Sequence, residues 1–412
     1  MNHIRYTLLF IFSFFITNDS WSVNMTNGFN HPEAKQLLDL SVDLNGYGVK
    51  DVPLPDVSKD WELVAEGMDP TQDGSSLNGF GPFKSRWKLW KQKGSQAVYC
   101  IVIRGTIYNK RSIEEDLMTN PILAEKVIIP AGNKKSIHFR LASTSYRQLD
   151  ESKNFPVPEV HAGFTYALAS ILFNQDHSLL KVIQAISPGS TIYITGHSQG
   201  AAIATLLHSF LHYACSDDGY KDILEQDKQN YNDCISFGLE GKSWEIKSYV
   251  FAQPKPGNWR YAMDLAQIAG NKGMFFSINN YDDPVTQVPL AIQLVTDSFT
   301  KQELDSLDKR HYFLEFLMSL AHTFRKGISN LIDEAELDKK MGGSADPVYA
   351  NSDSKMKFSG GTSLNFTPSG NIIAVRARLN DNEEYKNHAP EDDFLREHHL
   401  WRYDQLSKYW PQ

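Results

Sequence analysis

Ser198 lies in a short motif that has the chemistry and the setting of a catalytic nucleophile. The motif is Gly-His-Ser-Gln-Gly at residues 196–200, after a β-prone run and before small and apolar residues that suit a helix. A serine placed between a strand and a helix projects from a sharp, strained turn, the nucleophile elbow. Gly196 and Gly200 keep side-chain bulk away from that turn. We therefore predict that Ser198 is a nucleophile; a capping serine in an ordinary glycine-bounded turn is the alternative.

A serine hydroxyl needs partners before it attacks a carbonyl: a general base, an orienting acid and donors for the oxyanion that forms. In an elbow, one of these donors is the backbone amide after the nucleophile, here that of Gln199. The other donor must come from a loop after a neighbouring strand. The apolar run 101–103 ends in Arg-Gly-Thr, where Thr106 offers an N–H and a hydroxyl. The sequence thus predicts an oxyanion hole made by Thr106 and Gln199.

The elements that must position these groups predict an α/β fold. Apolar runs predict buried strands at residues 97–104, 191–195, 248–252 and 275–279. Helical stretches separate these strands, which indicates a mainly parallel sheet with helices on both faces. Residues 85–91 alternate polar and apolar and predict a hairpin partner for 97–104. Residues 31–44 predict a first amphipathic helix.

Four segments, in order, resemble the class 3 lipase family, the fungal triacylglycerol lipase type of α/β-hydrolase. They are Ile-Arg-Gly-Thr at 103–106, Val-His-Ala-Gly-Phe at 160–164, the elbow at 196–200, and Phe-Ala-Gln-Pro-Lys-Pro-Gly-Asn at 251–258. The resemblance covers about residues 97–289 and the extreme C-terminus. It implies ester hydrolysis through an acyl-enzyme, with no metal ion and no organic cofactor.

The resemblance also implies the acid of a Ser-Asp-His triad. Residues 279–289 are similar to the segment that carries the family's acid, and Asp283, directly before Pro-Val, is the better match. Asp282 is the alternative. A solvated Asp-Asp-Pro turn is the ordinary role for such a pair.

The base should lie late in the chain, because α/β-hydrolases order their triad Ser, Asp, His. His399 begins His-Leu-Trp, which resembles the pattern that carries the base in the fungal enzymes, and His398 and His388 are the alternatives. His197, beside the nucleophile, is expected to point into the packing. In this interpretation His399 accepts the proton of Ser198, and the acid orients its imidazole.

Two segments depart from the compact fungal pattern. Residues 112–129 lie where the family carries a helical lid, but their apolar and charged positions fit an amphipathic lid only loosely, so a surface loop is the alternative. Residues 300–345 have helical spacing and predict an inserted helical segment near the acyl-binding side. The insertion bears on substrate range more than on reaction type.

The N-terminus predicts export. Residues 1–22 have a weakly positive start, an apolar core and Ser-Trp-Ser at the end, as in a cleaved signal peptide; an uncleaved anchor is the alternative. Residues 23–412 then form a single domain, secreted or periplasmic, and no other stretch is long and apolar enough for a bilayer span. Export would permit a disulfide between Cys215 and Cys234. No Cys–His spacing suggests zinc.

The sequence therefore favours a secreted serine ester hydrolase of lipid esters, a triacylglycerol lipase or a phospholipase, acting at a lipid–water interface. A net charge of −8 over 412 residues without a basic run argues against a nucleic-acid partner. A catalytically inactive secreted lipid-binding protein of the same fold is one alternative. A soluble esterase or acyltransferase is another.

Overall fold

The structure is a computed structural model, and it describes residues 25–67, 85–95, 97–105, 121–130, 135–143, 157–173, 178–215, 237–289, 349–351, 365–378 and 395–412. Several sequence predictions lie outside these residues. They are the signal peptide at 1–22, the first part of the lid segment, the insertion at 300–345, Thr106, Cys234 and His388.

The described part of the chain alternates strands and helices. The helices are α1 (His31–Asn45), α2 (Ala162–Phe173), α3 (Leu179–Gln184), α4 (Gln199–Cys215), α5 (Trp259–Ile268) and α6 (Leu400–Leu406), with short 3-10 helices at Val57–Lys59, Gly270–Lys272, Pro284–Gln287, Arg396–His398 and Ser407–Tyr409. The strands are β1 (Trp61–Gly67), β2 (Trp87–Gln92), β3 (Val98–Ile103), β4 (Pro121–Leu123), β5 (Val127–Pro130), β6 (Lys135–Phe139), β7 (Glu159–His161), β8 (Thr191–His197), β9 (Glu245–Phe251), β10 (Gly257–Asn258), β11 (Phe275–Asn280), β12 (Tyr349–Asn351), β13 (Phe366–Thr367) and β14 (Asn371–Val375).

The main sheet determines where the site lies. Its strand order over the described residues is β1-β2-β3-β8-β9-β11-β14. All neighbours from β3 to β14 are parallel, whereas β1–β2 and β2–β3 are antiparallel. This confirms the predicted hairpin of β2 with β3 and the mainly parallel sheet. Parallel strands end at one edge, so the chain segments that follow β3, β8, β9 and β11 meet there.

Side chains of the central strands alternate between two apolar cores, as a sheet covered on both faces requires. Ile101 of β3 and Ile192 of β8 face a core shared with α2 and α4. Cys100, a buried free thiol, and Tyr193 face a second core shared with α1 and α6. Helices on both faces were predicted and are confirmed.

Short strands form two smaller sheets, β13-β10-β7-β4 and β12-β6-β5. β4 pairs with β7, which leads directly into α2, and β5 pairs with β6. The second part of the predicted lid segment therefore lies in strands β4 and β5 and is not helical. Apolar residues of these strands, such as Ile122 in β4 and Val127 in β5, are buried.

A buried charged cluster fixes α1 to the sheet. Glu33 accepts hydrogen bonds from Lys247 Nζ (2.6 Å), Tyr249 Oη (2.8 Å) and Tyr193 Oη (2.9 Å). The side chains of Lys247 and Glu33 are 0% and 1% exposed. Removing either partner would leave a buried charge without compensation, which is costly. The N-terminal half of α1 is thus held in one orientation over β8 and β9.

No helix among the described residues is both long and apolar enough to cross a membrane.

Candidate active site

Ser198 occupies the turn between β8 and α4 in the conformation that an elbow needs. Its φ is 59°, in the left-handed region that side chains rarely adopt. The Ser198 amide donates to the carbonyl of Phe251 at the end of β9 (3.0 Å). A Cβ at Gly196 would overlap the carbonyl of Gly200, and a Cβ at Gly200 would overlap the carbonyl of Ile103. The two glycines therefore make the turn possible, as the sequence indicated.

Three side chains from distant parts of the chain form one line of hydrogen bonds. Ser198 Oγ lies 2.8 Å from His398 Nε2, and His398 Nδ1 lies 2.9 Å from Asp283 Oδ2. A carboxylate only accepts hydrogen bonds, so Nδ1 carries the hydrogen and Nε2 is left to accept the serine proton. This is the relation between nucleophile, base and orienting acid that the sequence predicted for a serine hydrolase.

The histidine in this line is His398, which corrects the prediction of His399. His398 is the last residue of the 3-10 helix Arg396–His398, and its side chain faces Ser198. His399 has extended backbone angles and precedes the first residue of α6. Its imidazole lies against Gly48, where a Cβ would overlap Nδ1. The His-Leu-Trp pattern pointed to His399, whereas the hydrogen-bond geometry favours its neighbour His398, the alternative.

Asp283 is fixed by hydrogen bonds to both of its carboxylate oxygens. Oδ1 accepts the amide of Val285 (2.8 Å), and Oδ2 accepts both His398 Nδ1 and Tyr403 Oη (2.7 Å). Asp283 is 1% exposed. Asp282, the alternative acid, instead pairs with Arg376 (3.3 Å) in a more exposed position. The structure thus brings Asp283, and not Asp282, to the histidine.

Tyr403 was not predicted as part of the site. Its oxygen accepts the amide of Asn280 (3.0 Å), which leaves the hydroxyl hydrogen free to donate to Asp283. Burial, with a smaller effect of Asp283, raises the pKa of Tyr403 well above its ordinary value of 10, so the hydroxyl remains a donor. The apolar neighbours Leu400 and Trp401 indicate a buried helix face. No sequence signal connects Tyr403 with Asp283, which lies 120 residues away.

Two further polar residues hold the segment that carries His398. His197 Nε2 donates to the His398 carbonyl (2.8 Å), because a carbonyl only accepts. Asn280 Nδ2 donates to the carbonyl of Glu397 (3.1 Å). Burial, together with nearby His398, lowers the pKa of His197 well below its ordinary value, so His197 is a neutral donor. The sequence predicted that the His197 side chain points into the packing, and its hydrogen bond to the His398 carbonyl shows which segment it contacts.

Of the two predicted oxyanion donors, Gln199 lies in the described chain. It is the first residue of α4, where amides have no acceptor within the helix. Thr106 lies outside the described residues, but Gly105 before it is in contact with the elbow. A Cβ at Gly105 would lie 2.6 Å from the His197 carbonyl oxygen and 3.2 Å from Ser198 Cβ. Within the described residues no cluster of His, Cys, Asp or Glu is arranged to hold a metal ion.

Comparison with known proteins gives a family match for the central part of the chain. The class 3 lipase family model matches residues 101–293, which include Ser198 and Asp283. Residues 101–293 of the chain are therefore similar to class 3 lipases. This match supports a carboxylic ester hydrolase, and the mainly parallel sheet with helices on both faces is that of an α/β-hydrolase. The family's substrates are lipid esters.

Solved lipase structures are similar at low identity. The Lip2 lipase from Yarrowia lipolytica is 16% identical over 65% of this chain and 77% of its own, with a TM-score of 0.38. The lipase from Rhizopus microsporus var. chinensis is 15% identical over 66% and 75%, with a TM-score of 0.34. M37 lipase is 21% identical over 56% of this chain, which spans 58% of the M37 lipase chain, with a TM-score of 0.34. No curated protein matches the chain.

The two neighbouring histidines give a direct test of the geometry. We expect His398→Ala to lower kcat for an ester by about 10³-fold or more, because the residue within proton-transfer distance of Ser198 is lost. His399→Ala should change kcat by less than about threefold. Initial rates on a p-nitrophenyl ester, normalised to folded protein by circular dichroism, measure both. The reverse ranking would restore His399 as the base.

Tyr403 gives a second test, with a matched control elsewhere in the fold. We expect Tyr403→Phe to lower kcat about tenfold with KM little changed, because Asp283 loses a donor and the imidazole is less firmly oriented. Tyr213 also donates to a buried carboxylate, that of Asp264 (2.8 Å to both oxygens). Tyr213→Phe should therefore lower the melting temperature and leave kcat unchanged. Equal losses of kcat in the two variants would contradict a specific effect of Tyr403 on Asp283 and indicate that Tyr403 only stabilises the fold.

Proposed function

We propose that the chain hydrolyses lipid esters through an acyl-enzyme, with Ser198 as nucleophile, His398 as general base and Asp283 as the acid that orients it. The observation that carries this proposal is the line of hydrogen bonds from Ser198 Oγ through His398 to Asp283. Ser198 itself has the positive φ of a nucleophile elbow. The match of residues 101–293 to the class 3 lipase family supports the reaction class.

In the first half-reaction, Ser198 Oγ bonds to the ester carbonyl carbon while its proton passes to His398 Nε2. The tetrahedral intermediate breaks its bond to the alcohol oxygen, and His398 returns the proton to that leaving group. A water molecule then attacks the acyl-enzyme with His398 again as base, which releases the fatty acid and restores Ser198. Asp283 stabilises the imidazolium that forms in each half and does not itself become protonated.

The oxyanion of each intermediate requires donors that are in place before the reaction. We assign these to the amides of Gln199 and Thr106. The position of Gln199 directly after Ser198, as the first residue of α4, supports its part, because the N-terminus of a helix favours negative charge. For Thr106 the support is its place directly after Gly105, which contacts the elbow.

We further propose that the enzyme is exported, secreted or periplasmic, on the evidence of residues 1–22. Mass spectrometry of protein recovered from outside the cytoplasm should find an N-terminus at Val23. Recovery of the full chain with Met1 intact from the membrane fraction would instead support an uncleaved anchor.

The nucleophile and the substrate class are tested together. We expect a fluorophosphonate probe to label wild-type protein at Ser198 and to leave Ser198→Ala unlabelled. Ser198→Ala should lose about 10⁴-fold or more in kcat while retaining the wild-type melting temperature. Rates on p-nitrophenyl esters of increasing acyl length, and on triacylglycerol and phospholipid, give the substrate profile.

Each alternative corresponds to a distinct result. A rate that rises steeply above the substrate's micelle concentration supports a lipase. A preference for short, dissolved esters supports a soluble esterase, and ester formation in the presence of alcohol supports an acyltransferase. Lipid binding with neither labelling nor hydrolysis would overturn the proposal and support the inactive lipid-binding protein.

A further inference from the structure

We propose that Asn45, the last residue of α1, is a positioning residue for the oxyanion-hole loop. This inference rests on the proposed function, and it concerns a helix that lies outside the segment matched by the lipase family. The side-chain hydrogen bonds of Asn45 join it to Ser41 and Gly105. Its effect would pass through the backbone that leaves β3.

The contact itself is one hydrogen bond between distant parts of the chain. The amide of Gly105 donates to Asn45 Oδ1 (2.8 Å), across 60 residues of sequence. The preceding amide, that of Arg104, donates to the carbonyl of Arg86 beside β2 (2.9 Å). These two bonds hold successive amides of the segment that leads from β3 to the predicted donor Thr106.

The same segment is pressed against the elbow, so its position matters to the nucleophile. Gly105 is so close to the elbow that a Cβ there would lie 2.6 Å from the His197 carbonyl oxygen. A Cβ at Gly200 would likewise overlap the carbonyl of Ile103. The backbone at 103–105 therefore lies between Asn45 and the nucleophile turn, and a rotation of its peptide planes would move the following amide relative to Ser198.

Asn45 is itself firmly held. Its Nδ2 donates to the Ser41 carbonyl (2.7 Å), which orients the side-chain amide so that Oδ1 faces Gly105. Two residues later, the Tyr47 carbonyl accepts the amide of Trp401 in α6 (3.1 Å). Gly48 packs against the imidazole of His399. The end of α1 is therefore tied to the segment that carries the base as well as to the one that precedes the predicted donor.

An oxyanion donor is effective only when it already points at the site where charge develops, and small displacements are costly. Without Asn45 the Gly105 amide loses its acceptor, and this peptide becomes free to reorient. The loss should fall on the transition state, because the ground-state ester gains little from the hole. We therefore expect an effect on kcat rather than on KM.

The test uses Asn45→Leu, which keeps the size and removes the acceptor, and Asn45→Ala, which leaves room for water to accept the Gly105 amide. Active sites are counted by complete titration with a fluorophosphonate, so that misfolded molecules are excluded. We expect kcat per titrated site to fall about tenfold in Asn45→Leu and less in Asn45→Ala, with KM within twofold of wild type. The phosphonylation rate should fall in parallel, because the phosphonyl oxygen occupies the same hole.

Asn30→Ala is the matched control, because Asn30 is an asparagine at the opposite end of the same helix. Its Oδ1 accepts the amide of Glu33 as the N-cap of α1 (3.0 Å). This variant should lower the melting temperature and leave kcat per titrated site unchanged.

The proposal is overturned if kcat per site in Asn45→Leu equals that of wild type, or if Asn30→Ala loses as much as Asn45→Leu. Wild-type protein that neither reacts with the probe nor hydrolyses esters would overturn the proposed function and this inference with it.

Discussion

The backbone of Ser198 has a positive φ of 59°, and the sheet edge around it is built to hold that conformation. A non-glycine residue in this region costs about 1–3 kcal/mol and persists only where the surroundings determine it. The Ser198 amide is bonded to the end of β9, and Ala252, which also has a positive φ (53°), is bonded by its amide to Ile278 of β11. The adjacent parallel strands β8 and β9 are thus each followed by a residue with left-handed backbone angles, and the amide of that residue donates to the neighbouring strand. The fold itself therefore fixes the backbone of the candidate nucleophile.

The parts of this structure that could be predicted from the sequence are those with local signals. Gly196 and Gly200 indicate the elbow because the steric demand lies within five residues, and apolar runs indicate β3, β8, β9 and β11 because buried strands need continuous hydrophobicity. The choice between His398 and His399 has no such signal. It depends on where the 3-10 helix Arg396–His398 ends, and a step of one residue there turns one imidazole to Ser198 and the other to Gly48.

The residues that support the candidate triad could not be predicted from the sequence, because their partners lie far away along the chain. Tyr403 meets Asp283 across 120 residues, Asn280 meets Glu397 across 117, and Asn45 meets Gly105 across 60. Each is a common polar residue whose role is defined by its partner and not by its neighbours in the chain. Hydrogen bonds of this kind depend on strand order and on how α1 and α6 are packed, and periodicity gives neither.

The segment matched by the lipase family contains Ser198, Gln199 and Asp283, but the candidate base lies more than 100 residues beyond its end. The candidate base lies just before α6, and the proposed support of the oxyanion loop lies at the end of α1. Both helices contribute to the second core. The backbone hydrogen bond between Trp401 and Tyr47 joins α6 to the segment that follows α1. Asn45 and His398 lie close in sequence to this junction, so under the proposed mechanism displacement of either helix would disturb proton transfer and oxyanion binding together. The matched segment alone therefore forms an incomplete site, and packing of the chain's two ends over one sheet face completes it.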